Sequence, residues 1–122
     1  VEKEQLIEYY QSCRVFIFPS LVETFGNPLL EAMAFGAPIA CSEKAAMPEI
    51  LGNTGLYFNP NDENDMANTI DKLLLDDELS KRLGESATER ALSFLWSDTA
   101  EKTYQVLINA AKSASNRSLF PR

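Results

Sequence analysis

Two glutamates, Glu23 and Glu31, stand eight positions apart on either side of Gly26, Asn27 and Pro28. A carboxylate accepts hydrogen bonds from pairs of adjacent hydroxyls, the pattern that sugars and ribose present. The stretch between them reads as a strand end, a glycine-containing loop and a helix start. A helix start leaves N–H groups unpaired and carries partial positive charge, which suits a phosphate. Gly26 lets the backbone approach a ligand closely. Pro28 has no N–H, so the phosphate donors available here are the amides of Asn27, Leu29 or Leu30. On residue types alone a plainer reading stands beside this one, with Glu31 a solvated helix residue and Glu23 a loop charge. The chain has no histidine, which removes histidine acid–base chemistry and histidine-ligated metal sites from it. Cys13 and Cys41 lie in apolar stretches and read as buried reduced thiols, not as a disulfide framework or a zinc site.

Several elements have to position these residues. Lys3 to Ser12 carries Leu6, Ile7 and Tyr10 at helical spacing. Val15 to Phe18 is apolar throughout and ends at Pro19, the pattern of a strand buried on both faces in a parallel sheet. Pro28 to Phe35 reads as a helix, with Pro28 in its first turn and Gly36 as its stop. Pro38 to Cys41 and Gly55 to Phe58 read as further short strands, with one helical turn at Pro48 to Leu51 ended by Gly52. The rest is helical. Met66, Ile70, Leu73 and Leu74 form one stripe, and Leu79, Leu83, Ala87 and Ala91 a second. Ala100, Tyr104, Leu107, Ile108 and Ala111 form a third, entered at Ser97 or Asp98 as N-cap. Strands alternating with helices predict an α/β fold with about three parallel strands and a helical C-terminal end. We expect residues 1–112 to form the domain and 113–122 a flexible polar tail. The apolar strand at Val15 to Phe18 would make a hazardous free edge, so the chain reads as part of a larger sheet, with self-association as one outcome.

The chain has 122 residues, of which 45% are hydrophobic and 24% charged, the balance of one ordinary globular domain. Eighteen acidic residues against eleven basic give a formal charge of −7, which argues against a nucleic-acid partner. No apolar run approaches the roughly 20 residues of a membrane span, and a cytoplasmic, reducing setting is the expectation. Asn116-Arg117-Ser118 fits the N-glycosylation pattern and is read as a chance match.

The stretch Glu23-Thr24-Phe25-Gly26-Asn27-Pro28-Leu29-Leu30-Glu31-Ala32-Met33-Ala34-Phe35-Gly36-Ala37-Pro38 resembles a donor-site signature. It is that of the retaining glycosyltransferases of family 4 (group 1), E-x-F-G-x-x-x-x-E-A-M-A-x-G-x-P, and every fixed position matches. The flanks match too: Pro19-Ser20 before it, Ile39-Ala40-Cys41-Ser42 after it, then Met47 to Leu51, Gly55 to Asp62, and Phe94-Leu95-Trp96. The resemblance runs from about residue 4 to about residue 110. It implies the C-terminal half of a Rossmann-like GT-B donor-binding domain, which moves a sugar from a nucleotide-sugar to an acceptor with retention. It further implies that Glu23 is catalytic, beside the donor sugar and its leaving phosphate. Amides of Thr24, Phe25 and Gly26 would contact sugar hydroxyls, the amides of Asn27 and Leu29 the diphosphate, and Glu31 the ribose hydroxyls. No metal or other cofactor is implied.

The sequence departs from the family in two ways. Ala45-Ala46-Met47 stand where the family has glycines before its next Pro-Glu, and Glu49 reads as capping or structural. The Arg and Lys that neutralise the leaving diphosphate have no counterpart, since Arg14 and Lys44 fall at other places in the pattern. The acceptor domain and the first half of the donor domain would come from elsewhere in a longer protein or from a partner chain, leaving this chain inactive alone. The alternatives are a non-catalytic subunit or association module of a split or degenerate transferase, and a generic nucleotide-binding α/β domain. The acceptor, the sugar and the base are left open.

Overall fold

The computed structural model describes residues 1–115. Its elements run α1 (Lys3–Ser12), β1 (Phe16–Phe18), α2 (Asn27–Ala34), β2 (Ile39–Ser42), α3 (Met47–Leu51), β3 (Leu56–Phe58), α4 (Glu63–Leu75), α5 (Asp77–Ala91) and α6 (Trp96–Ser115). The strands form one parallel sheet in the order β1-β2-β3, with Phe16 opposite Ile39 and Ala40 opposite Leu56. This is the α/β arrangement that the alternating pattern predicts.

Every residue of β2 is buried, as a central strand of a parallel sheet requires. Ala40 joins Phe58 and Leu73 in a core to which Val15, Leu56, Met66, Ile70, Leu79 and Leu83 pack. Met66, Ile70 and Leu73 of the first helical stripe and Leu79, Leu83 and Ala87 of the second do pack inward, with α4 against β2 and β3, whereas Leu74 falls outside its stripe and is exposed. Strand β1 departs from the expectation. It lies at the edge of the described sheet, and Ile17 is 41% exposed, so it is not buried on both faces here. The alternation of a strand sends Phe16 and Phe18 to one side, where they are half-buried, and Ile17 to the other, where it is left partly exposed.

Helix boundaries follow local chemistry. Asp62 caps α4 by accepting from the amides of Asn64 and Asp65 at 3.0 and 3.1 Å, and Asp76 caps α5 through the amide of Leu79 at 2.8 Å. Ser80 donates to the Leu73 carbonyl at 2.6 Å, satisfying one of the acceptors that the end of α4 leaves open. Gly52 stops α3 at φ 61° and ψ −127°, a conformation for glycine. Arg90 secures the same helix end from α5: its Nε donates to the Ile50 carbonyl and its Nη2 to the Glu49 carbonyl, both at 2.7 Å.

The described chain divides into two compact units, one of Val1–Leu92 and one that begins at Ser93. In the second, α6 starts at Trp96, so Ser97 and Asp98 lie in its first turn and neither precedes it as the cap expected from sequence. The helix continues through Ser115, into the segment expected to be a tail. Residues 116–122, with the Asn116-Arg117-Ser118 pattern, lie outside the described residues. No described helix is long and apolar enough to cross a membrane.

Candidate functional site

The candidate site grows from the carboxyl end of β1. After Phe18 the chain leaves the sheet through Pro19, and Ser20 donates its hydroxyl to Glu23 Oε1 at 2.9 Å. That bond holds the half-buried Glu23 carboxylate to the base of its own loop and leaves its second oxygen outside this bond. Thr24 and Phe25 follow at the surface. Gly26 then turns the chain at φ 83° and ψ 57°, the left-handed region that glycine adopts without strain. It is buried above the Phe18 ring: a Cβ placed on it would sit 3.4 Å from Phe18 Cε1.

This turn opens α2. The Gly26 carbonyl accepts from the amides of Leu29 at 2.9 Å and Leu30 at 3.3 Å. The Leu29 amide is paired within the turn and its side chain lies wholly in the core. Such a bond is what the first helical carbonyl makes once the helix has formed, and a reading along the chain does not resolve it. Pro28 offers no donor, which leaves Asn27, exposed and with no amide partner among the described residues, as the donor at the helix start.

Glu31, exposed one turn further on, has a partner that sequence spacing did not reveal. The Tyr10 phenol of α1 donates to Glu31 Oε2 at 3.0 Å. The Tyr10 ring is only 6% exposed, tilted against Phe16 at 5.5 Å and stacked on Phe35 at 5.9 Å between centroids. Burial, the hydrogen bond to Glu31 and that carboxylate's charge push the Tyr10 phenol up to about 12, so it remains a donor across ordinary pH. The signal available in sequence was only Tyr10's place on the apolar face of α1. Ser20 was likewise visible only as a flank of the motif.

The neighbouring loop, at the carboxyl end of β2, bears the departures noted from sequence. Ser42 is buried and its hydroxyl accepts from the Lys44 amide at 3.2 Å. Ala45 then adopts φ 51°, the left-handed region that disfavours a Cβ. Both candidate cations are tied elsewhere. Lys44 pairs with Glu43 at 2.8 Å, while Arg14 pairs with Asp77 at 2.6 Å and donates to the Leu74 carbonyl at 3.2 Å. Glu49 lies exposed in the first turn of α3, and its main-chain carbonyl accepts from Arg90. Both cysteines are free, and burial raises the thiols of Cys13 and Cys41, the latter to about 12. No group of His, Cys, Asp or Glu among the described residues could hold a metal ion. An open concavity away from this loop is lined by Asp65, Asp71, Lys72 and Asp76, an acidic surface unsuited to phosphate.

Residues 1–90 match the family Glycosyl transferases group 1, and the chain belongs to that family. It is 38% identical over 97 residues to the serotype-specific mannosyltransferase WbdA of Escherichia coli, covering 80% of this chain and 12% of that protein. It is 36% identical over 112 residues to the O-antigen chain mannosyltransferase B of Escherichia coli, covering 92% of this chain and 28% of that protein. Among solved structures, the sucrose-phosphate synthase of Thermosynechococcus elongatus superposes with a TM-score of 0.81 at 31% identity, over 93% of this chain and 29% of that one. The sheet and its helices are therefore those of the GT-B glycosyltransferases, and the chain spans less than a third of each of these three proteins.

Proposed function

We propose that the chain is the donor-side half of a nucleotide-sugar-dependent, retaining glycosyltransferase of family 4. The observation that carries this reading is the arrangement around Gly26: two carboxylates, Glu23 and Glu31, flank a left-handed turn that opens α2 at the carboxyl end of a parallel strand. In open α/β sheets ligands bind at that end of the strands. In this reading Glu31 accepts from the ribose hydroxyls, and the start of α2 receives the diphosphate through the Asn27 amide and the helix dipole. Thr24, Phe25 and Gly26 present main-chain amides to the sugar hydroxyls. Glu23 sits beside the sugar and supports the positive charge that develops at its anomeric carbon as the bond to the diphosphate breaks. The acceptor hydroxyl oxygen bonds the anomeric carbon on the face that the diphosphate leaves, its proton passing to the departing phosphate oxygen, so configuration is retained. No step in this scheme calls for a metal.

The pairing of Arg14 with Asp77 and of Lys44 with Glu43 favours a second reading. Neither cation is poised for a leaving diphosphate, so the chain acts in a longer protein or with a partner chain, and alone is inactive or serves as a non-catalytic associating subunit. One experiment separates the readings. Calorimetric titration of the purified chain with UDP, GDP and ADP, with Glu31→Ala as control, yields binding that the variant loses if this is a donor site. A folded chain that binds none of them supports the associating subunit. For an assembled enzyme, the anomeric configuration of product by NMR tests retention, and Glu23→Ala lowers kcat by roughly a hundredfold or more if Glu23 stabilises the transition state.

A further inference from the structure

We propose that Tyr10 is a positioning residue for nucleotide binding: its phenol fixes one oxygen of Glu31 and leaves the other to accept from the ribose diol. This rests on the reading of Glu31 as the ribose carboxylate.

Glu31 is exposed on α2, and a free glutamate side chain at a helix surface samples several rotamers that binding must then restrict. The Tyr10 phenol removes part of that freedom beforehand by donating to Oε2 at 3.0 Å from a residue 21 positions away. The donor is itself fixed. Tyr10 is buried between the rings of Phe16 and Phe35, and Phe16 in turn stacks on Phe18, the ring beneath Gly26. One aromatic series thus connects the turn that opens α2 with the group that holds its carboxylate. A vicinal diol needs acceptor capacity on one side of the carboxylate only, and a singly occupied carboxylate supplies it. The phenol is a neutral donor, so it orients Glu31 without neutralising the charge that strengthens its bonds to hydroxyls.

The test is a titration of four forms of the chain, wild type, Tyr10→Phe, Glu31→Ala and the double variant, with UDP, GDP and ADP. The tightest-binding nucleotide is repeated as its 2′,3′-dideoxy counterpart. Tyr10→Phe keeps both ring contacts, and its exposed partner carboxylate can turn to water. It is expected to retain the fold and to weaken ribonucleotide binding about fivefold. That loss should vanish with the dideoxy ligand and in the Glu31→Ala background. Equal weakening of both ligands, or no weakening while Glu31→Ala weakens binding, overturns the role of Tyr10 and leaves the ribose reading standing. Glu31→Ala binding like wild type, or a wild type that binds no nucleotide, overturns both. A second measurement needs no variant: the Tyr10 ring resonances should shift on adding the ribonucleotide and stay in place with the dideoxy form, and unshifted resonances with both refute the proposal.

Discussion

Replacing Gly84 with alanine should destabilise the protein, although the interior of a helix ordinarily gains about 1 kcal/mol from that change. Gly84 is buried in α5, where the chain passes the end of α2. A Cβ built on it would lie 2.3 Å from the Gly36 carbonyl oxygen, a backbone atom with no rotamer to yield. The two segments would have to part by roughly 1 Å, and overpacking of this kind costs about 1–3 kcal/mol. The separation also stretches the 3.3 Å bond from the Thr88 hydroxyl to the Met33 carbonyl of α2, while its 3.1 Å bond to the Gly84 carbonyl lies within α5 and is kept. Set against the helix propensity, the net loss is about 1 kcal/mol. For a unit of this size that lowers the melting temperature by roughly 5 °C. Thermal unfolding followed by circular dichroism measures it, with Glu85→Ala on the exposed face of the same helix as a control expected to stay within about 0.5 kcal/mol of wild type. In the donor-site reading, where α2 carries Asn27 and Glu31, nucleoside diphosphate binding should weaken alongside stability. A Gly84→Ala protein as stable as wild type would refute the close approach of α5 to the end of α2.

Ala45→Gly should stabilise by about 0.5–1 kcal/mol, since relief of the left-handed strain at φ 51° outweighs the added freedom of the unfolded chain; a drop in the denaturation midpoint would contradict this. Arg90→Met should cost about 2 kcal/mol in urea unfolding, because the Glu49 and Ile50 carbonyls lose their charged donors while the aliphatic stem is kept. The Tyr10 phenol is raised in the folded state, so its contribution to stability is full below pH 10 and is lost as pH rises toward about 12. Phenolate absorbance of wild type against Tyr10→Phe should show one high transition disappear, and Glu31→Ala should lower the Tyr10 transition only in part, since burial, the larger cause, remains when the bond and the charge are removed.

What a reading along the chain recovers depends on how local the determining physics is. The span of α1, the stop of α2 at Gly36 and that of α3 at Gly52 follow from side-chain spacing and from glycine, and the structure has them where those signals stand. The turn at Gly26 is legible for the same reason, because only a few residues decide it. The partners of the two carboxylates were not. Ser20 reaches Glu23 within one loop, but its hydroxyl had other directions open to it, and Tyr10 reaches Glu31 only through a tertiary contact across 21 positions of chain. The exposure of Ile17 had no local signal either, since Val15 to Phe18 is apolar on both faces whichever neighbours are present. Leu29 shows the converse limit. Its amide is a candidate donor in the extended chain, and the turn at Gly26 pairs it with the Gly26 carbonyl.

The charge distribution decides what this half of the site can do by itself. Its distinctive groups are acceptors, two carboxylates held by neutral hydroxyl donors, and they suit the hydroxyls of a ligand better than its phosphates. Toward phosphate the described residues offer the start of α2, a partial charge that stabilises an anion by only about 1 kcal/mol at an exposed position. The chain as a whole carries −7, which opposes a diphosphate at long range. Recruiting Arg14 or Lys44 would mean breaking its bond to Asp77 or Glu43, and Arg14 would also give up the Leu74 carbonyl. In the transferase reading, then, the nucleoside should bind this chain through its sugar hydroxyls with a modest phosphate contribution. In the same reading, the cations that let a diphosphate leave come from protein outside these residues. A titration in rising salt separates the two parts: affinity governed by hydroxyl contacts changes little, whereas a steep fall would mean that a cation of this chain meets the phosphates after all.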